Sequence, residues 1–91
     1  MIVRILGEGR YEIPEGDLPA IEQLDDELVD ALERGDHNEF NGALIDLIGE
    51  VRHSGALLPS DDLRPSELVV PHEGATLEEV RALLAEGPAE G

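Results

Sequence analysis

The sequence predicts a small α+β domain in which a two- or three-stranded β-sheet packs against an antiparallel helix hairpin and a C-terminal helix. Three observations predict this class. Two strand-like runs flank a glycine turn at the start of the chain, two stretches with helical spacing of apolar residues follow, and a last strand-like run precedes a third helical pattern. With 91 residues and no cysteine, the chain has room for one small core without disulfides. We expect a single domain over residues 1–86 and a frayed tail over residues 87–91.

The first two strands are predicted on either side of the segment Gly7-Glu8-Gly9. Residues 1–6 carry apolar side chains on both faces of the predicted strand, so we expect this strand to be central or covered on both sides. Residues 10–13 form the second strand, and Pro14 ends it. The apolar residues of the first strand are Val3 and Ile5 on one face and Ile2 and Leu6 on the other.

The glycine turn between these strands is predicted to reverse the chain rather than to hold a phosphate. Glycine tolerates the positive φ that a short hairpin requires. A dinucleotide-binding turn would need a third glycine where Glu12 stands and a helix after the turn, and the carboxylate of Glu8 would repel a phosphate.

Helical spacing of apolar residues predicts the helix hairpin. The first helix begins after Asp17, which is a suitable N-cap, and ends at Gly35. The second begins at Asp36, whose spacing from Glu39 resembles a capping box, and ends at Gly55. The short junction makes the two helices antiparallel. The apolar stripe of the first helix comprises Leu18, Ile21, Leu24, Leu28 and Leu32, and that of the second comprises Phe40, Ala43, Leu44, Leu47, Ile48 and Val51.

The last part of the chain is predicted to contain a loop, a strand and a helix. The prolines and aspartates of residues 57–65 indicate a loop, and residues 67–70 form the third strand. The T-x-x-E pattern of residues 76–79 is a capping box that begins the third helix, which Gly87 and Pro88 end. The side of this helix that is expected to be buried comprises Leu77, Val80, Leu83 and Leu84.

The charge of the chain limits its partners. There are 22 acidic residues and 6 basic ones, all arginine, which give a formal net charge of −16. Such a chain repels nucleic acids and anionic lipids, so we expect neither nucleic-acid binding nor direct membrane binding. Two origins of this composition stay open: a salt-rich cytoplasm, in which screening weakens self-repulsion, and a GC-rich genome, which favours arginine over lysine.

No pattern in the sequence points to catalysis, a metal or a cofactor. The three histidines His37, His53 and His72 lack the spacing of a zinc site, and no cysteine could complete one. Residues 36–47 depart from a calcium-binding loop at its fifth, sixth and twelfth positions. The serines lie in no nucleophile elbow. We therefore expect a protein that is not an enzyme and needs no cofactor, while a metal site built from scattered histidines and aspartates stays open.

The second helix carries the residues that we assign to partner binding, which are Gly42, Ile45 and Gly49. The two glycines lie almost opposite the centre of the apolar stripe, and Ile45 lies about 100° or more from that centre. A glycine inside a helix costs about 1 kcal/mol relative to alanine, so two on one face could permit close approach of another helix. Simple tolerance of glycine on a solvent-exposed face stays open as the alternative.

Four segments of the chain resemble the PspA-associated protein family (PspAA): MIVRILGEGRYEI, LDDEL in the acidic first helix, LRPSELVVP and ATLEEVRALL. The resemblance extends over nearly the whole chain. It implies a small cytoplasmic accessory of the phage-shock, or envelope-stress, response that is linked to PspA, a coiled-coil protein that assembles on stressed membranes. No catalytic or ligand residue is carried over from the family.

The predicted function is that of a non-enzymatic adaptor or regulator that docks its helix hairpin or sheet edge on PspA and reaches the inner face of the membrane through it. A homodimer stays open as a second kind of association. The alternative function is that of an acidic nucleic-acid mimic or antitoxin-like inhibitor, which would occupy the basic cleft of another protein.

Overall fold

A computed structural model describes residues 1–86, and the α+β class is confirmed. The predicted tail over residues 87–91, with the predicted helix end at Gly87 and Pro88, lies outside the described residues. The strands are β1 (Ile2–Ile5), β2 (Gly9–Glu12), β3 (Ala56–Leu57) and β4 (Leu68–Val70). The helices are α1 (Leu18–Arg34), α2 (His37–Ser54) and α3 (Leu77–Glu86), with a 3-10 turn (Glu15–Asp17) before α1.

The sheet is mixed and has the order β3-β2-β1-β4. β1 pairs antiparallel with β2 and parallel with β4, while β2 pairs antiparallel with β3. The prediction of two or three strands was therefore wrong. The missed strand is β3, in which Ala56 pairs with Glu12 and Leu57 with Tyr11. Two residues are too few to show the alternation by which a strand is recognised, so the segment was predicted as the start of a loop.

The prediction that the first strand is central is confirmed, because β1 lies between β2 and β4. Val3 and Ile5 are fully buried in the core beneath the helices, and Val70 of β4 joins them. On the other face of β1, Ile2 is only 6% exposed and Arg4 is exposed. The turn after β1 reverses the chain as predicted, with φ of 80° at Gly7 and 150° at Gly9.

The ends of α1 and α2 lie where the sequence predicts them, with one difference in capping. Gly35 takes the left-handed conformation, with a φ of 72°, and ends α1. The Asp36 side chain accepts a hydrogen bond of 3.0 Å from the backbone N–H of Glu39 and begins α2. Asp17 is the N-cap residue of α1, as predicted, but its side chain makes no capping hydrogen bond, since the preceding 3-10 turn already gives it helical backbone angles.

The core is formed by the helix hairpin and the inner face of the sheet. All six residues of the predicted α2 stripe are buried, and the α1 stripe is buried or packed against the core. The prediction for α3 was wrong in part. Leu77 is buried and Val80 packs against the core, but Leu83 and Leu84 are 55% and 65% exposed. The reason is that α3 enters the core only through its first turn.

Candidate interaction surfaces

The exposed leucines of α3 form one wall of a shallow apolar groove, which we call the α3 groove. Its other wall is the outer side of β4, where Val69 is 52% exposed, together with Leu6 at the end of β1. The groove has a volume of about 120 Å³. Its lining residues are Leu6, Val69, Pro71, His72, Ala75, Glu79, Val80, Leu83 and Leu84.

The groove wall formed by α3 is held in place at the start of the helix by the predicted capping box. The backbone N–H of Thr76 donates to Oε1 of Glu79 over 2.9 Å, and the backbone N–H of Glu79 donates to the Thr76 hydroxyl over 3.1 Å. The bond from the Thr76 backbone lowers the pKa of Glu79 and keeps this carboxylate charged. A carboxylate therefore lies on the rim of the groove at neutral pH.

A second contact fixes α3 against the end of α1. The guanidinium of Arg81 donates to the carbonyl oxygen of Leu32 over 2.8 Å and 3.2 Å, and to that of Glu33 over 3.4 Å. The last carbonyls of a helix lack partners within the helix and carry its negative dipole, so a cation there both caps and neutralises them. The only arginine of α3 among the described residues is thereby turned away from the groove.

The structure places Gly42, Ile45 and Gly49 together on an exposed face of α2. Ile45 is 67% exposed, and a side chain at either glycine would meet no described atom within 4 Å. Gly42 also borders a cleft of about 280 Å³ between α1 and α2, whose charged lining residues are Glu27, Asp30, Arg34, Glu39 and Asp46. The assignment of Gly42, Ile45 and Gly49 to partner binding stays a prediction.

A larger open cavity, of about 680 Å³, lies beside the glycine turn and includes Arg4 and Arg10, which are paired across β1 and β2. Arg10 donates to the carbonyl oxygens of Asp62 and Arg64 and so holds the segment before β4 against the sheet. Within residues 1–86, Arg4 is the arginine without a hydrogen bond to a carboxylate or a carbonyl.

The carboxylate of Glu8 lies at the tip of this turn and binds the end of α2. It accepts hydrogen bonds from Arg52 over 2.6 Å and 2.9 Å and from the Tyr11 hydroxyl over 2.5 Å, and Arg52 also pairs with Glu73 over 3.0 Å. The bonds from Arg52 and then from Tyr11 lower the pKa of Glu8 to about 2. This network joins the turn, α2 and the segment before α3. It accounts for the lowered pKa of Glu8, so no bound ligand is needed to explain that pKa.

Metal binding and membrane insertion find no support in the described part of the chain. No group of three or more histidine and acidic side chains within residues 1–86 could hold a metal ion, and His37, His53 and His72 are all exposed. Across the same residues, every helix is too short or too polar to span a lipid bilayer.

Sequence reasoning missed the α3 groove because it assigned Leu83 and Leu84 to the core. Their helical spacing from Leu77 and Val80 indicates an apolar face, but spacing alone does not say whether that face is covered. One signal was present: Val69 is apolar between two other apolar strand residues, Leu68 and Val70. A strand that is apolar on both faces needs cover on both faces.

Comparison of the whole chain with protein-family models identifies its family. A family model described as "PspA-Associated protein" matches residues 1–90, which is essentially the whole chain. The chain belongs to the PspA-associated protein family. The resemblance seen in its sequence segments is thus confirmed. Comparison with curated proteins and with solved structures gave no match.

Proposed function

We propose that this PspA-associated protein is a non-enzymatic adaptor or regulator that acts in the cytoplasm by docking on PspA during the envelope-stress response. The observation that carries the proposal is the family match over residues 1–90, because association with PspA is what the family name states. The exposed apolar side chains of an otherwise acidic surface supply a means of docking, since such patches commonly mark protein-binding sites.

The perturbed pKa values of two carboxylates are accounted for without a catalytic role. Functional sites often hold groups whose pKa is shifted by burial together with a charged partner in a cleft. Here the carboxylates whose pKa falls to about 2, Glu8 and Asp62, each belong to a surface ion pair, with Arg52 and Arg64 respectively. Both shifts therefore have a structural explanation, and the Tyr11 hydroxyl that donates to Glu8 belongs to the same surface network.

The charge supports an indirect route to the membrane. A chain with a net charge of −16 is repelled by the anionic inner leaflet, because stable electrostatic attachment requires lysine and arginine clusters. A protein that works at that membrane therefore needs a carrier. PspA is the carrier that the proposal names.

The experiment is calorimetric titration of the cognate PspA into the purified chain, at low salt and at molar KCl. We expect a dissociation constant below about 10 µM in at least one condition, which corresponds to about −7 kcal/mol. Absence of heat and of co-purification at tens of micromolar in both salts would contradict the proposal.

The alternative role, an acidic inhibitor that mimics nucleic acid, is favoured by one observation. The solvent side of α1 presents a row of exposed carboxylates at steps of four and three, with Glu27 beside it. The row comprises Glu22, Asp26, Asp30 and Glu33. A row of regularly spaced negative charges can occupy a cleft that normally binds phosphates. Capture of a nucleic-acid-binding protein in cells lacking PspA, with displacement by DNA or RNA, would favour this role over the adaptor.

A further inference from the structure

We propose that the α3 groove is the docking site for an amphipathic α-helix whose apolar stripe is flanked by lysine or arginine. This inference rests on the proposed function for the identity of the protein that carries the helix, which is PspA. The geometry of the groove and the charge around it point to the helix itself.

The geometry of the groove suits a helix. Leu83 and Leu84 lie three and four residues after the half-buried Val80, so the three side chains form a ridge on the groove side of α3. Leu6, Val69 and Pro71 form the opposite wall, and the space between has room for an aliphatic side chain. A helix with apolar residues at the same spacing can place its own ridge in this groove, as amphipathic helices do on many partners.

The charge around the groove selects a basic helix. Glu79 lines the groove, and Glu78 is the residue before Glu79 on α3. Arg81 is bound to the carbonyl oxygens at the end of α1. A helix that settles in the groove therefore meets carboxylates along the α3 wall. The one described cation near the opposite wall is Arg4, the cross-strand neighbour of Val69. Lysines or arginines beside its apolar stripe would pair with these carboxylates and speed the encounter.

Two other occupants fit the groove less well. A second copy of the chain brings a further net charge of −16 and so meets strong repulsion. Residues 87–91, with the sequence Gly-Pro-Ala-Glu-Gly, offer only Pro88 and Ala89 as apolar groups and add the charge of Glu90. Both occupants are tested below.

The test compares two double variants in calorimetric titrations with the cognate PspA. Leu83→Gln/Leu84→Gln makes the groove polar, and Leu57→Gln/Leu63→Gln makes the same kind of change at exposed residues elsewhere. The four positions are 55–94% exposed, so both variants should fold, which circular dichroism and thermal unfolding verify. We expect the groove variant to lose about tenfold or more in affinity, and the control to change by less than about twofold.

The outcomes separate the groove from the proposed function. If the wild type binds PspA and the groove variant binds it equally well, the proposal that the α3 groove is the docking site is overturned, and the adaptor role stands. A separate variant, Ile45→Gln, tests the predicted face of α2. A loss of binding in Ile45→Gln without a loss in the groove variant assigns docking to α2 and overturns the proposal for the groove. A wild-type chain that does not bind PspA removes the proposed function, and the groove is then decided by a peptide.

The peptide is a leucine–lysine amphipathic helix of about 18 residues, or five turns, with a scrambled peptide of the same composition as its control. Chemical-shift changes at Val69, Val80 and Leu83 that only the amphipathic peptide causes support the groove, and equal or absent changes overturn it. Light scattering that shows a dimer of the wild type but not of Leu83→Gln/Leu84→Gln assigns the groove to a second copy. Tighter peptide binding after deletion of residues 87–91 assigns the groove to those residues. Either result overturns the proposal that a basic amphipathic helix is the occupant of the groove.

Discussion

Gly55 shows how a single residue fixes the junction between α2 and the sheet. Its backbone is extended, with φ of −94° and ψ of 159°, so the left-handed freedom of glycine is not what the site requires. What it requires is space: a Cβ would lie 2.7 Å from the carbonyl oxygen of Val51, 2.8 Å from Cδ1 of Ile13 and 2.9 Å from Cβ of Tyr11. The close approach brings the end of α2 onto the sheet and lets β3 start at the next residue.

We predict that Gly55→Ala lowers the free energy of unfolding by about 1–3 kcal/mol, because the added methyl group overpacks a site with a carbonyl oxygen in it. The control is Gly42→Ala, where a Cβ meets nothing within 4 Å and the higher helix propensity of alanine should add up to about 1 kcal/mol. Urea unfolding measures both. A Gly55→Ala protein as stable as the wild type would mean that α2 can move away from the sheet at little cost.

The Glu8 network predicts a defined pH dependence. The pKa of Glu8 falls from 4.5 to about 2 on folding, so its ion pair stabilises the folded state above pH 4.5, and this contribution is lost as the pH falls towards 2. The stability difference between wild type and Glu8→Gln should therefore be full at neutral pH and shrink over that range. Glu22→Gln, which also removes one exposed carboxylate, controls for the change in net charge. A difference of equal size at neutral pH and near pH 2 would contradict this assignment.

At the scale of residues, the sequence predicts roles that depend on neighbours along the chain and misses those that depend on distant ones. Gly35, Asp36 and Thr76 act through backbone groups within a few positions, so short patterns identify them. The contacts of Arg81 with α1 and of Glu8 with Arg52 join residues more than 40 positions apart. No local pattern specifies such pairs.

At the scale of elements, the attachment of α3 to the rest of the domain determines the shape of the α3 groove. It is short, it enters the core through its first turn, and the capping box and Arg81 supply its other described attachments. A short helix of this kind is marginal unless its ends are satisfied. The groove therefore depends on contacts made by the first half of α3.

We predict that Thr76→Ala destabilises the protein by about 1 kcal/mol, since it leaves the backbone N–H of Glu79 without its hydroxyl partner. Hydrogen exchange should show faster exchange of the α3 amides than of the α2 amides in this variant. Ser60→Ala, an exposed hydroxyl in the segment before β4, serves as the control. Unchanged exchange in α3 would show that the capping box does not hold the groove wall.

The elements themselves were predicted to the extent that their length allowed. The 17- and 18-residue helices α1 and α2 show several turns of apolar spacing, and they were recovered with their ends. The two-residue β3 has no such signal and was missed. Periodicity also assigned Leu83 and Leu84 to a buried face, because it identifies which side of a helix is apolar and not whether another element covers that side.

At the scale of the whole molecule, charge is the dominant property. The arginines are too few to neutralise 22 acidic residues, and the described ion pairs of Arg34, Arg52 and Arg64 lie at the surface, where such pairs contribute little. Most of the acidic surface is therefore uncompensated. Self-repulsion of this kind destabilises a compact state unless salt screens it.

We predict that the thermal unfolding midpoint rises when KCl is increased from about 0.05 M to about 2 M, because the screening length then falls from more than 10 Å to about 2–3 Å. Circular dichroism follows the transition. Equal concentrations of a sulfate salt, which also strengthens apolar burial, separate screening from salting-out. Equal stability at both KCl concentrations would remove the hypothesis that the protein is adapted to a salt-rich cytoplasm.

Fold class and family could be recognised from the sequence, whereas the docking surface could not. Family membership depends on segments spread along residues 1–90, which the sequence displays in full. A docking surface arises where exposed side chains of distant segments meet, as Leu6, Val69 and Leu84 do in the α3 groove.

The measurement that tests the central claim, that the chain docks on PspA, most directly is light scattering of the chain with its cognate PspA after size exclusion, at low salt and at molar KCl. The account predicts a joint peak whose mass exceeds that of PspA alone in at least one salt; separate elution of the two proteins at their own masses in both would contradict it.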